Sequence, residues 1–286
     1  MLGDLFADVR RFPSIDSTNR YLLDEARAGA PEGVVAIADH QTSGRGRLGR
    51  RWEAPAGTNL LASVLLRPDL RAEERHLASA VVCLAGRQAA RQIAGVTLAV
   101  KWPNDLVAHD GRKVAGILAE ADLPEAPGTG AGSGNSGSGN PGSGNPGSMV
   151  GGQYRRLPAL VVGIGMNVNW PATDADLPAE LVGTACSLRQ LSGRAIDRPS
   201  LLEALLTALE PRVSELATPA GRGRQAAEFE RAGSTVGTRV RVELPGESFE
   251  GTAVGLTEEG HLVVEVGGEL RTVIAGDVVH LRHRTE

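Results

Sequence analysis

Thirteen residues, His40-Gln41-Thr42-Ser43-Gly44-Arg45-Gly46-Arg47-Leu48-Gly49-Arg50-Arg51-Trp52, set three glycines among four arginines and close on a tryptophan. Glycine lets backbone N–H groups come close to a ligand. Arginine carries a planar, permanently charged fork of donors that matches phosphate and carboxylate. The combination suits a loop that closes over an anionic small molecule. A solvated basic loop without a ligand is the alternative reading of this stretch.

Three further segments place polar residues or glycines beside apolar runs. They are Asp16-Ser17-Thr18-Asn19, then Lys101-Trp102-Pro103-Asn104-Asp105-Leu106 with Lys113-Val114-Ala115-Gly116-Ile117-Leu118, and Gly163-Ile164-Gly165-Met166-Asn167-Val168-Asn169. Pro103 interrupts strand pairing, and a bulge there would turn Asn104 and Asp105 inward. Strict alternation puts Lys113, Ala115 and Ile117 on one strand face. Lys113 there either snorkels to water or faces a developing negative charge. Asp105 is either the ion-pair partner of Lys101 or Lys113, or a group that orients or deprotonates an incoming amine. Glycines within the strand at 163 and 165 signal close backbone approach, by a ligand or by a packed neighbour.

These segments need elements to hold them. Ser17 or Asp16 caps a helical pattern over 20–28. Strands are predicted over 34–38, 59–66, 96–101, 106–108, 113–120 and 159–169, with a tight turn at Asp110-Gly111. Helices are predicted over 77–93, 200 to about 216 and 225–231, with Pro199 in a first turn. Pro211 is expected to bend or end the second of these. From about 124 to 152 the composition changes abruptly, and the core of the stretch is Gly, Ser, Asn and Pro with almost nothing to bury. It is predicted to be a flexible insert between neighbouring strands. After Gly233, strands over 239–244, 251–256, 261–266, 270–274 and 278–281 predict a small β-barrel. The expected organisation is therefore α+β, with residues 1–232 as the larger domain and 233–286 as a small β domain.

The 286 residues carry a net charge of −4 and only 3% aromatics, so neither a global basic field nor a base-stacking surface is present. Cys83 and Cys186 sit outside any metal-ligand spacing and predict buried free thiols of a reducing compartment. The acidic start of the chain resembles no signal peptide, and no apolar run is long enough to span a bilayer. A cytoplasmic location, with no membrane partner and no metal site, is the expectation.

Taken together, Asp-Ser-Thr-Asn, Gly-Arg-Gly-Arg-x-Gly-Arg-x-Trp, Lys-Trp-Pro-Asn-Asp-Leu, Lys-Val-Ala-Gly-Ile-Leu and Gly-Ile-Gly-x-Asn-Val resemble, in this order, the biotin protein ligases (biotin–[acetyl-CoA-carboxylase] ligases). The resemblance covers nearly the whole chain except the insert. It implies a mixed-sheet catalytic domain of the biotin/lipoate ligase type with an SH3-like C-terminal barrel. It also implies two steps: biotin and ATP, with Mg²⁺ accompanying the ATP, give biotinyl-5′-AMP, and a carrier lysine then takes the biotinyl group. The partner implied is a biotin carboxyl carrier domain of a biotin-dependent carboxylase. Catalytic roles fall to Lys113, Arg47 and Asp105. Biotin contacts fall to Ser17, Thr18, Gln41, Gly44, Arg45, Trp52, Lys113, Gly116, Ile117 and Gly163. Nucleotide contacts fall to Arg47, Arg50, Trp52, Lys101, Asn104, Asn167 and Arg282. Because Asp16-Ser17-Thr18-Asn19 comes so early, the chain resembles the short monofunctional type, and DNA is not an expected partner. A monomer or weak homodimer is expected. A lipoate–protein ligase or octanoyltransferase is the alternative that shares this fold.

Overall fold

The computed structural model describes residues 4–122, 148–150, 153–155, 157–274 and 276–281. Most of the predicted insert and Arg282 lie outside the described residues.

The elements run β1 (Val9–Phe12), α1 (Thr18–Arg27), β2 (Val35–Ala38), β3 (Leu60–Leu66), α2 (Leu77–Ala89), β4 (Ala99–Lys101), β5 (Asp105–Val107), β6 (Lys113–Asp122), β7 (Ser148–Val150), β8 (Gln153–Arg155) and β9 (Ala159–Met166). Then come α3 (Leu188–Ser192), α4 (Arg198–Glu215), α5 (Pro219–Arg231), β10 (Arg239–Leu244), β11 (Glu247–Leu256), β12 (Leu262–Val266), β13 (Glu269–Val273) and β14 (Asp277–His280). The larger sheet has the order β1-β2-β3-β9-β6-β5-β4, and the last five strands form a second sheet ordered β13-β12-β11-β10-β14. β1 pairs parallel to β2 while β2 and β3 pair antiparallel, so the first sheet is mixed. The α+β expectation and the small C-terminal antiparallel unit both stand.

Strand periodicity divides the larger sheet into two faces. Val35, Ile37, Ala62, Val64, Val162, Ile164 and Ile117 join the main core with α2, α4 and α5. Ala36, Leu65 and Val161 pack instead under α1 with Leu22, Leu23 and Ala26. Beyond the first turn of α1 this second face is uncovered. The positions that point there are Ser63, Gly163, Gly165 and Gly116, which are small. That is where a cavity opens. The main core also takes in Val240, Val242, Leu262 and Val264, so apolar packing runs continuously into the C-terminal sheet.

Several boundaries differ from expectation. β1 was missed because Val9-Arg10-Arg11-Phe12 reads as half polar; Arg10 is held by Tyr21 at 2.7 Å and Glu25 at 2.6 Å. Residues 96–98 are not strand: Val96 N–H bonds Ala90 at the helix end, and Leu98 C=O accepts from Arg87. Pro211 does not end α4, which continues to Glu215. Buried Leu205 and Leu209 before it and Val213 and Leu216 after it hold the helix in the core, outweighing the ~3 kcal/mol that an interior proline costs. α5 starts at Pro219, six residues earlier than expected. Glycines 221 and 223 lower its propensity, yet a Cβ at Gly221 would sit 2.0 Å from Glu215 O. Finally, β7 falls inside the stretch read as insert and pairs with β8. β6 and β9 nevertheless pair directly, from Ala115↔Met166 to Asp122↔Ala159, as the insert reading expected.

Candidate active site

Pro103 lies not in a bulge but in the turn joining β4 to β5, where Lys101 and Asp105 are paired residues. Asn104 faces inward all the same: its Nδ2 donates to Ile117 O at 2.6 Å, and its backbone C=O accepts from Ile117 N–H at 2.9 Å. The bulge is elsewhere. Leu106 pairs with Ala115 and Val107 with Lys113, so Val114 is the extra residue. This breaks the alternation on which the sequence reading rested. Lys113 leaves the core face of Ala115 and Ile117 and joins Gly116, where a Cβ would stand 3.0 Å from Lys113 Nζ. Lys113 Nζ lies 2.7 Å from Asp105 Oδ1. Of the two partners offered for Asp105, Lys113 is the one in contact.

The glycines of the uncovered face each have a reason. A Cβ on Gly165 would meet the Trp52 ring at 2.6 Å, and one on Gly116 would meet it at 3.3 Å. The indole therefore lies flat across β6 and β9, its centroid 5.7 Å from Lys113 Nζ. Trp52 Nε1 is buried and makes no hydrogen bond. At Gly163 the close neighbour is the side chain of Asn19, 2.2 Å from where a Cβ would be.

The Gly/Arg loop crosses above. Its turn places Leu48 in the left-handed region, at φ 55°. The counter-charges that its local sequence mostly lacks come from distant segments. Arg45 pairs with Glu120 at 3.2 Å, and Arg50 pairs with Asp277. Arg47 donates to Asn104 Oδ1 at 3.2 Å and Gly276 O at 3.1 Å, and lies 3.8 Å from Asp277. Only Arg51 finds its acid, Glu53, close in sequence.

These groups enclose a cavity of about 280 Å³. Its lining brings together neutral polar groups (Ser17, Thr18, Gln41), glycines (Gly116, Gly163, Gly165), cations (Arg45, Arg47, Arg50, Lys113) and the carboxylates of Asp105 and Asp277. Single-ligand pockets span about 300–1,000 Å³, so the space accommodates one small molecule until the loop moves.

The family description "Biotin/lipoate A/B protein ligase family" matches residues 11–126, and "Biotin protein ligase C terminal domain" matches residues 235–281. The chain is 35% identical over 272 residues to the biotin–[acetyl-CoA-carboxylase] ligase of Mycobacterium tuberculosis, covering 93% of this chain and 86% of that protein. The chain belongs to the biotin/lipoate A/B protein ligase family. The bifunctional ligase/repressor BirA of Bacillus spizizenii is 30% identical over 92% of this chain and 71% of its own length. The fold matches the Aquifex aeolicus biotin protein ligase solved with biotin and ATP at TM-score 0.73 and 24% identity, covering 97% and 100% of the two chains.

Set in this family member's structure, most of the nominated residues meet. Ser17, Thr18, Gln41, Arg45, Arg47, Arg50, Trp52, Asn104, Asp105, Lys113, Gly116, Ile117, Gly163 and Asn167 all line the cavity. Two do not. Gly44 lies behind it, and a Cβ there would meet Trp52 O at 2.3 Å. Lys101 stands outside, half-buried, with burial lowering its ammonium pKa against the opposing pull of Asp105. Asn167 is tied up internally: Nδ2 donates to Cys186 O at 3.1 Å and Oδ1 accepts from Asn59 at 3.2 Å. Ile117 turns its side chain to the core. Sequence reasoning missed Asn19, Ser63, Leu177, Leu181 and Asp277. Ser63 carried a signal, being the one polar residue among the seven of β3. Asp277 carried none.

Cys83 and Cys186 are both free and fully buried, as expected, and burial raises both thiol pKa values, Cys186 to about 11. Among the described residues no helix is long and apolar enough to cross a membrane.

Proposed function

We propose that this protein is a biotin–[carboxyl carrier] ligase, and that the cavity binds biotin and then its adenylate. One observation carries the site assignment. Neutral donors and acceptors, glycine-bearing strands and a cluster of cations line one and the same cavity. Biotin calls for all three: it has an uncharged ureido head, an apolar bicycle and tail, and a carboxylate.

In the first step a biotin carboxylate oxygen attacks the α-phosphorus of ATP, and the bond to the leaving pyrophosphate breaks. Both reactants are anionic. Lys113, Arg45 and Arg47 offset their repulsion and the charge that builds in the transition state. Asp105 holds the Lys113 ammonium at the cavity wall. Arg50 takes up the triphosphate, and Asn104 keeps Arg47 in reach. In the second step the neutral ε-amine of a carrier lysine attacks the acyl carbon. An amide forms, AMP leaves, and the amine's proton is released; Asp105, a carboxylate in the cavity lining, orients that amine. Trp52, stacked on Gly116 and Gly165, forms an apolar wall beside the reacting anhydride. Among the described residues no group of three His, Cys, Asp or Glu side chains converges. Mg²⁺ would enter with ATP as part of the substrate.

The test is direct. Purified protein is mixed with ATP, biotin and a carboxyl carrier domain, and the carrier is weighed by mass spectrometry, with lipoate in a parallel reaction. A gain of one biotinyl group supports the reading. A gain with lipoate alone would replace it with the lipoate-ligase reading.

A further inference from the structure

A chain of side chains runs beneath the neutral polar groups of the cavity and fixes which atoms there donate and which accept. Asn19 is 5% exposed and Ser63 1%. Asn19 Nδ2 lies 3.1 Å from Leu118 O and 2.9 Å from Glu120 Oε2. A carbonyl and a carboxylate only accept, so the atom facing both is the NH₂ group. Asn19 Oδ1 is then the acceptor for Ser63 Oγ–H, at 2.6 Å. With its proton committed, Ser63 Oγ can only accept from Thr18 Oγ1, 2.7 Å away. Gln41 Oε1 is a second, longer acceptor for the same hydroxyl at 3.1 Å, so the Thr18 proton is held by protein acceptors and its lone pairs remain for the cavity. On the other side, Gln41 Oε1 accepts the backbone N–H of Thr18 at 2.8 Å, which leaves Gln41 Nε2 as a donor.

We infer that Asn19 and Ser63 are positioning residues. They commit Thr18 as an acceptor and leave Gln41 as a donor, so that the site selects a ligand offering N–H and C=O side by side, as a cyclic urea does. Glu120 anchors the relay at its far end. Its other oxygen holds Arg45 of the Gly/Arg loop, so one carboxylate serves both the head-group site and the loop above it. Gly163 is required because only a residue without a Cβ admits the Asn19 amide. This inference rests on the biotin reading of the cavity.

The experiment is calorimetry of the full chain with biotin and with a biotin analogue in which the ring N–H is replaced by CH₂. A buried acceptor left without its donor costs about tenfold or more in affinity, so the wild type should favour biotin by at least that factor. In Ser63→Ala the shorter of the two acceptors for the Thr18 hydroxyl is lost and only Gln41 Oε1 at 3.1 Å remains, so the preference should fall by about threefold or more. In a Thr18→Val background, adding Ser63→Ala should change the preference no further, since the relay then has nothing to orient. If Ser63→Ala fails to fold, Asn19→Ala removes the same constraint without adding bulk. Equal losses for biotin and analogue in these variants would overturn the relay and leave the biotin reading intact. A wild type that binds no biotin would overturn both.

Discussion

Lys113 Nζ reaches Asp105 Oδ1 at 2.7 Å because Val114 is a bulge. Without that extra residue the lysine would face the core. The pair is partly exposed, at 36% and 22%, and a pair this open to solvent contributes about 0–1 kcal/mol to stability. Lys113→Ala should therefore leave the melting temperature within a few degrees of wild type, while removing a transition-state cation costs about 3–4 kcal/mol, a few hundredfold in rate. Pyrophosphate release at near-normal rate would remove Lys113 from the chemistry.

Arg47 should separate the two substrates. Its guanidinium reaches Asn104 and the Asp277 region, away from Thr18 and Gln41. Arg47→Ala is expected to weaken adenylate binding at least about tenfold, the worth of one charge-assisted hydrogen bond, and biotin binding much less. Titration calorimetry with each ligand checks this; equal losses would contradict the split.

The loop over the cavity is held by ion pairs that a nucleotide's phosphates can replace. Asp277 and Glu120 occupy Arg50 and Arg45. Residues 42–51 should exchange amide hydrogens faster without ligand than with biotin and ATP. Asp277→Ala should speed ligand-free exchange further and leave the liganded state protected. Strong, equal protection in all states would mean a preformed loop.

Acid should weaken the contact between the two sheets. His76 and His280 are each held down to a pKa of about 4, mainly by burial, and by His261 and Lys101 respectively. Thr235 Oγ1 accepts from Trp102 N–H at 3.1 Å and lies 3.0 Å from His280 Nε2, so its own proton is free for a neutral imidazole. The unfolded chain binds these protons near pH 6.5, before the folded one does. Stability present above about pH 6.5 is therefore lost as pH falls toward 4. The urea midpoint should drop over that window, and less so in His280→Gln. A flat profile would show that the imidazoles do not matter.

Removing residues 128–147 should change neither activity nor melting temperature by much. β6 and β9 already pair over eight residues each without it, and loop length alters closure entropy by only ~1 kcal/mol or less. A melting temperature lower by many degrees would show that the segment packs.

Much of this protein was legible in its residues. The Gly/Arg loop, the polar tips, the glycine-bearing strand and the low-complexity insert are local patterns, and their order was enough to identify the family. Local pattern also predicted the paired strands on either side of the insert. The faces were not legible. Alternation put Lys113 on the apolar side, and only the register of β5 against β6, with Val114 left over, turned it to the cavity. Nor could spacing show that Arg50 meets Asp277 or that Asn19 lies beside Glu120, at separations of 227 and 101 residues. Residue type states what a side chain can do. Cross-strand register and the docking of the second sheet decide what it does it to, because hydrogen bonds and ion pairs act over a few ångströms of space and not along the chain.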